Sequence, residues 1–253
     1  MACWPAQLTD HECMLDFAKL LARDHRVVMF DPPAVGANQG LPYSDDLKRM
    51  VYFAQAALTH LGIEHCHWVG LSAGGVVGAA LRVASPARIL SLTLAGTPMI
   101  SQGRFKLTAA ASKNMLAGSR WGRRVLVSRG VAQVGYRNEQ EKYLVGKYLR
   151  NLFERTPPPT IRAMHPLDGA VVRHVFDQLR ASPPPMLVLC GKYDPVVLPR
   201  DQRTVAEITQ AQFVELRCGH MNLLVEPEKS AHAFQRFVQA RLEHQPHPEA
   251  LAA

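Results

Sequence analysis

The chain has 253 residues, 47% of them hydrophobic and 20% charged, with a formal charge of +8 at neutral pH. That length supports one sizeable core with an insertion, and no apolar run approaches the roughly 18 residues a membrane-spanning helix needs, so no membrane partner is expected. The positive charge is concentrated: residues 97–165 hold thirteen Lys and Arg against three Glu, and the remainder is slightly acidic. That segment carries no nucleic-acid motif and no interleaved aromatic platform, which argues against a nucleic-acid partner. Five scattered cysteines (Cys3, Cys13, Cys66, Cys190, Cys218) and an opening Met1–Pro5 without the basic and apolar regions of a leader point to reduced thiols in the cytoplasm.

In chain order, Thr9-Asp10-His11-Glu12 has the form of a capping box. Met14, Phe17, Ala18 and Leu21 follow at helical spacing, predicting a helix over about 10–24. Arg26–Phe30 reads as a short buried strand, followed by Asp31-Pro32-Pro33-Ala34-Val35-Gly36. Ser44 caps a second helix whose Leu47, Met50, Ala54, Ala57, Leu58 and Leu61 form one face until Gly62 ends it. Cys66–Val69 is the next strand, and Gly70-Leu71-Ser72-Ala73-Gly74-Gly75 turns it into a helix from Val76 to Ala84 that Pro86 stops. Ile89–Leu94 is again a strand. Such alternation predicts an α/β fold, a mostly parallel sheet flanked by helices.

From Met99 to about Arg162 the strand pattern gives way to helical stretches at 105–116, 121–131 and 138–153, and Pro157–Pro159 and Pro183–Pro185 break the chain on the way back. Pro185–Cys190 is a buried strand leading into the turn Gly191-Lys192-Tyr193-Asp194-Pro195. Gln212–Leu216 is the last strand, and Arg217-Cys218-Gly219 carries it into His220, on a loop before the final helix. The expected organisation is a core of residues 1–98 and 182–243, a helical cap insertion and return linker over 99–181, and a polar tail at 244–253.

The chemistry centres on Ser72. A strand reversing abruptly into a helix strains the turning residue, and the small neighbours Gly70 and Gly74 leave room for it. A serine displayed there needs a base and a carboxylate, and Asp194 and His220 follow downstream at strand ends. No acidic residue follows Ile89–Leu94, where Ala95-Gly96-Thr97-Pro98 stands. Taken singly, each has an ordinary structural role as loop serine, turn aspartate or core histidine; their joint order carries the reading. His60, His65, Cys66 and His67 lack a second ligand pair, and no phosphate-binding glycine loop is present, so neither metal nor cofactor is expected.

These motifs, in this order, resemble the α/β-hydrolase fold family over about 4–242: the Asp31–Gly36 loop, Tyr43-Ser44-Asp45-Asp46-Leu47, the GxSxG turn, an imperfect GxxDxxxP from Gly191, and Gly219-His220-Met221 through Glu226-Pro227-Glu228. The resemblance implies Ser72 as nucleophile, Asp194 as acid and His220 as base. It implies backbone oxyanion donors at Ala73 and Trp4, and a cap over the site with Met99, Phe105, Trp121, Tyr136 and Met221 as candidate pocket residues. The implied activity is cofactor-free hydrolysis of an ester, thioester, lactone or related carbonyl in a small acyl substrate, with C–C hydrolysis and perhydrolysis as variants. The basic cap suits an anionic substrate.

The competing class is a non-catalytic ligand-binding or interaction protein of the same fold. It is kept open by the loop after Asp31, which lacks the family's first Gly and final Ser. One further expectation concerns the sheet. By the resemblance, Ala2-Cys3-Trp4-Pro5 lies where the family's His-Gly motif and its successors fall, which leaves the third strand and two edge strands without counterparts. The sheet would then have a central gap, with a lost N-terminal segment of roughly 25 to 30 residues as the favoured explanation.

Overall fold

The central strands are buried on both sides of the pleat along most of their length, the pattern of a sheet covered on two faces. In a computed structural model of the chain, which describes residues 1–100, 116–165 and 167–243 (241–243 as backbone), six parallel strands form one sheet in the order β2-β1-β3-β4-β5-β6. They are β1 (Ala2–Trp4), β2 (Val28–Met29), β3 (Cys66–Leu71), β4 (Ile89–Ala95), β5 (Met186–Gly191) and β6 (Gln212–Leu216). The crossovers that parallel pairing requires are α1 (Leu15–Leu21), α2 (Leu47–His60), α3 (Ala73–Ala84), then α4 (Arg120–Val134), α5 (Glu139–Arg155), α6 (Pro158–Ala163) and α7 (Gly169–Ala181) between β4 and β5. The last three are α8 (Pro199–Thr209), α9 (Asn222–Val225) and α10 (Pro227–Glu243).

Alternation along the strands sorts the core into two layers. Cys3, Val69, Leu71, Leu187 and Leu189 pack with Phe17 and Leu21 of α1 and Phe234 and Phe237 of α10. Ala2, Trp4, Trp68, Leu92, Leu94 and Val188 pack on the opposite face with α2, α3, α7 and α8, through Met50, Val76, Phe176 and Val205. Helix α7 lies inside the segment assigned to the insertion and its return, yet its apolar stripe of Val172, Val175, Phe176 and Leu179 belongs to this second layer.

The sheet overturns the expected central gap. Ala2–Trp4 is itself a strand, placed between β2 and β3, with Ala2 opposite both Val28 and Trp68, Cys3 opposite Met29 and Val69, and Trp4 opposite Gly70. The physical reason is the one that made the gap implausible: two rows of buried backbone groups require partners, and three apolar residues supply them on both sides. Trp4 then anchors a cluster of rings, stacked on Trp68 at 6.0 Å, tilted on Phe30 at 5.1 Å and edge-on to Phe53 at 6.1 Å.

Smaller departures have local causes. The helix expected over 10–24 is a short 3-10 turn, His11–Met14, followed by α1, and its cap is Asp10, whose carboxylate accepts from the Glu12 N–H; Thr9 instead donates its hydroxyl to the Ala6 carbonyl. Helix α2 is capped by Asp46 rather than Ser44, whose oxygen accepts from the Asp46 N–H. In the insertion, Ser119 and Asn138 cap α4 and α5 by accepting from Gly122 and Glu141. The helix expected over 105–116 lies, apart from Leu116, outside the described residues, as does the tail at 244–253. Among the described residues no helix is long and apolar enough to cross a membrane.

Because Trp4 lies on a strand paired on both sides and at the centre of the ring cluster, Trp4→Ala is expected to destabilise the fold by about 3–5 kcal/mol. Urea denaturation checks this. A loss under about 1 kcal/mol, the size of a surface change, would mean that β1 contributes little to the sheet.

Candidate active site

At the end of β3 the chain turns into α3 through Ser72, whose φ of 52° and ψ of −117° lie in a region that L residues rarely adopt. The close approach of strand and helix explains the neighbouring glycines. A Cβ on Gly70 would fall 2.2 Å from the backbone of Gly74 and Gly75, and one on Gly74 would fall 2.2 Å from the Trp4 carbonyl oxygen. The Ser72 N–H donates to the Ala95 carbonyl at 2.7 Å, and the Ser72 carbonyl accepts from Gly75 at 3.0 Å. The strained residue is thus pinned from both sides.

Asp194 and His220 are brought together by stitching between two strand exits. After β5, Lys192 donates to the carbonyl of Leu216 at 2.7 Å and Tyr193 to that of Cys218 at 2.9 Å. This lays the Asp194 turn along the His220 loop, with His220 Nδ1 2.8 Å from Asp194 Oδ2 and both side chains almost fully buried. The carboxylate accepts three more hydrogens: Oδ1 from the amides of Val196 (2.8 Å) and Val197 (2.9 Å), Oδ2 from Gln202 Nε2 (3.2 Å). A carboxylate so surrounded accepts every one of these bonds, so His220 donates from Nδ1 and its Nε2 faces away from the pair.

The pair and the serine meet at one step of backbone. Ala95 holds the Ser72 amide, and a Cβ on the next residue, Gly96, would lie 3.1 Å from the His220 ring and 3.4 Å from Asp194 Oδ2. Ser72 and His220 are not hydrogen-bonded to each other.

Around this centre the sequence candidates separate. Ala73 is the first residue of α3, so its N–H has no carbonyl within the helix to meet. Trp4 is a ladder residue: the carbonyls of Met1 and Cys3 accept from Val28 and Phe30 on the β2 side, so by parallel alternation the Trp4 backbone turns to β3. Met99 and Met221 are buried in the core, Trp121 is 70% exposed, Tyr136 sits in the insertion with Lys142 over its ring at 5.5 Å, and Phe105 is outside the described residues. His65 and His67 have separate partners, the Ala87 carbonyl and the Ser91 hydroxyl.

Three features escaped the sequence reading. Gln202, 1% exposed, ties Asp194 to the Val197 carbonyl; the signal was a polar residue on the apolar stripe of Val205, Ala206 and Thr209. The last carbonyl of α4, at Val134, accepts from the His220 N–H at 2.8 Å, and a Cβ on Gly219 would fall 2.2 Å from the Gly135 carbonyl oxygen. The insertion is therefore bonded to the loop that carries the histidine. Third, α5 grips the segment after β1. Tyr148 donates its hydroxyl to Asp10 at 3.2 Å, and Arg155 donates to Asp10 at 3.0 Å and to both oxygens of Glu12.

This grip is legible in acidity. Burial raises the Asp10 carboxyl above its ordinary range despite the opposing Arg155 charge, whereas the Arg155 hydrogen bonds lower Glu12. Arg155→Ala removes the cation from both acids. Raised further, Asp10 would then oppose folding as pH climbs through its folded-state range; Glu12 would lose stabilisation present only above its unfolded range. Both effects grow with pH. The expected loss is about 1–3 kcal/mol at pH 7, below that of a fully buried pair because Arg155 is partly exposed, with a smaller loss near pH 4. Adding Asp10→Asn should recover part of it. Urea titrations of the single and double variants at both pH values check this, and an equal loss at the two would count against it.

A six-stranded parallel sheet with crossover helices on both faces and a helical insertion between β4 and β5 defines an α/β hydrolase. The chain belongs to the alpha/beta hydrolase fold family, which matches residues 8–227, and is a hydrolase. The 3-oxoadipate enol-lactonase 1 of Acinetobacter baylyi is 25% identical over 242 residues, 92% of this chain and 85% of the relative. A thermophilic esterase from Thermogutta terrifontis superposes with a TM-score of 0.76 at 20% identity, covering 94% of this chain and 89% of the other. The enol-lactonase of Burkholderia xenovorans gives a TM-score of 0.75 at 18% identity, covering 94% and 90%.

Proposed function

We propose that the protein hydrolyses an ester or lactone of a small acyl substrate through a serine nucleophile, without a cofactor. The observation that carries this reading is the buried His220–Asp194 contact of 2.8 Å set against the same Ala95–Gly96 step that holds Ser72 at a φ of 52°. Ser72 Oγ attacks the carbonyl carbon while His220 Nε2 takes its proton, and Asp194 stabilises the imidazolium so formed. The Ala73 N–H meets the developing oxyanion. The second donor comes from the turn after β1, where Pro5 has no N–H, the Ala6 amide is taken by the Cys13 thiol, and the amides of Gln7 and Leu8 bond to nothing among the described residues. Collapse breaks the carbonyl–oxygen bond, and His220 returns its proton to the leaving alkoxide. Water, deprotonated by the same Nε2, then releases the acyl group from Ser72.

For a lactone the alkoxide stays attached, so the product is a single hydroxy acid or its keto tautomer. The names of the relatives, an enol-lactonase and an esterase, favour these two substrate classes over the thioester, carbon–carbon and perhydrolytic variants of the same chemistry.

Ser72→Ala is expected to lower kcat on an activated ester or lactone by about 10⁴-fold or more, with an unchanged melting temperature, because the hydroxyl performs chemistry and packs against little. Asp194→Asn should cost a comparable factor, on the order of 10⁴, by favouring the wrong imidazole tautomer. Activity assays on a panel of acyl esters and lactones, with labelling of Ser72 by a fluorophosphonate, decide the matter. Parent-level turnover in Ser72→Ala would sink the reading and leave the non-catalytic alternative.

A further inference from the structure

The outer faces of α4 and α5 enclose a cleft of about 1340 Å³ whose charged lining is Arg120, Arg123, Arg124, Lys142, Arg150 and Glu154. Two of the cations have structural work. Arg123 donates to the carbonyls of Ala117, Phe153 and Glu154, bridging the two helices, and Lys142 pairs with Glu139 at 3.0 Å. Arg120, Arg124 and Arg150 are exposed and have no hydrogen bond or ion pair among the described residues.

This arrangement breaks local rules. Helix α4 carries four arginines and no acid, Arg120 and Arg124 stand as a like-charge pair four residues apart, and both lie near the helix start, where the dipole disfavours cations. A face built only for solubility intersperses its arginines with carboxylates. We propose that the cleft between α4 and α5 is a binding site for a small molecule bearing a phosphate or pyrophosphate group. Guanidinium forks suit phosphoryl oxygens because two parallel N–H donors match two acceptors. The concavity holds a ligand of nucleotide size, and Tyr136, Tyr143 and Phe153 in its wall offer ring faces beside the charges.

The position gives such a ligand two routes to the chemistry. Val131 and Ala132 line the cleft within one helical turn of Val134, whose carbonyl accepts from the His220 N–H. The phosphate is then either the remote handle of an acyl substrate or a free metabolite bound beside the site.

The probe is pyrophosphate, titrated calorimetrically at low salt into the full chain, into Arg124→Ser/Arg150→Ser, and into both in a Ser72→Ala background. The expected result is one site per chain, bound alike with and without the Ser72 hydroxyl, and weakened at least about tenfold by the double substitution. A Lys-for-Arg double variant should recover part of the affinity. A second arm compares kcat/KM for 1-butyrylglycerol 3-phosphate with that for 1-monobutyrin, which shares the ester and lacks the phosphate. A preference that the double variant loses assigns the phosphate to the substrate; equal values with pyrophosphate binding intact assign it to a free ligand. Because the calorimetric arm needs no turnover, it stands or falls apart from the role of Ser72. Equal pyrophosphate affinity in parent and double variant overturns the proposal, and so does tight binding of a single-stranded oligonucleotide that pyrophosphate fails to displace.

Discussion

The strained turn at Ser72 is the constraint on which the rest of the structure depends. A non-glycine residue at φ 52° and ψ −117° costs about 1–3 kcal/mol and persists only where its surroundings leave no other conformation. Here the surroundings come from four places in the chain. Gly70 lets the strand lie against the first turn of α3, and Gly74 lets that turn lie against the carbonyl of Trp4. Ala95 at the end of β4 accepts the Ser72 amide, and the α3 stripe of Val76, Val77 and Leu81 is buried. A three-residue strand inside the sheet, next to its β2 edge, thus does two jobs. It completes the backbone pairing of β2 and β3, and its exit forms the wall against which the elbow is pressed.

How much of this was legible in the sequence follows from the range of the interactions. The helix–strand alternation, the elbow and the Asp194 and His220 turns are local patterns, each readable within about ten residues, and the structure places each in its expected element. Strand β1 was missed because three residues are too few to display a period; Ala2-Cys3-Trp4 has no polar member to mark the pleat. Capping moved from Thr9 to Asp10 because Arg155 and Tyr148, some 140 positions away, give the Asp10 carboxylate partners that no local rule anticipates. The resemblance places the pocket candidates only by their position in the insertion and beside His220, and position in sequence does not tell burial: Met99 and Met221 are buried while Trp121 is on the surface. Gln202 is the instructive case between: a single amide on an apolar stripe is visible in sequence, but only the structure shows it filling the last position on Asp194.

The helical segment between β4 and β5 is bonded into the strand-end loops rather than merely laid over them. Helix α4 ends by accepting the backbone N–H of His220, and Gly135 beyond it fits against the Tyr193 carbonyl and the Pro195 ring, so one helix end touches the loops of both His220 and Asp194. Helix α5 holds the segment after β1 through Asp10 and Glu12, and Gln7 in the turn itself donates to the His165 carbonyl and to the Tyr43 hydroxyl at 3.1 Å. A rigid lifting of these helices would break contacts to the histidine loop and to the turn that carries the free amides. Because buried polar groups are costly to leave unpaired, such motion is opposed most strongly where the catalytic geometry is most sensitive. Helices α4 and α5 are thereby tied to the loops that carry Asp194 and His220 and to the turn after β1, so they belong to the frame of the site.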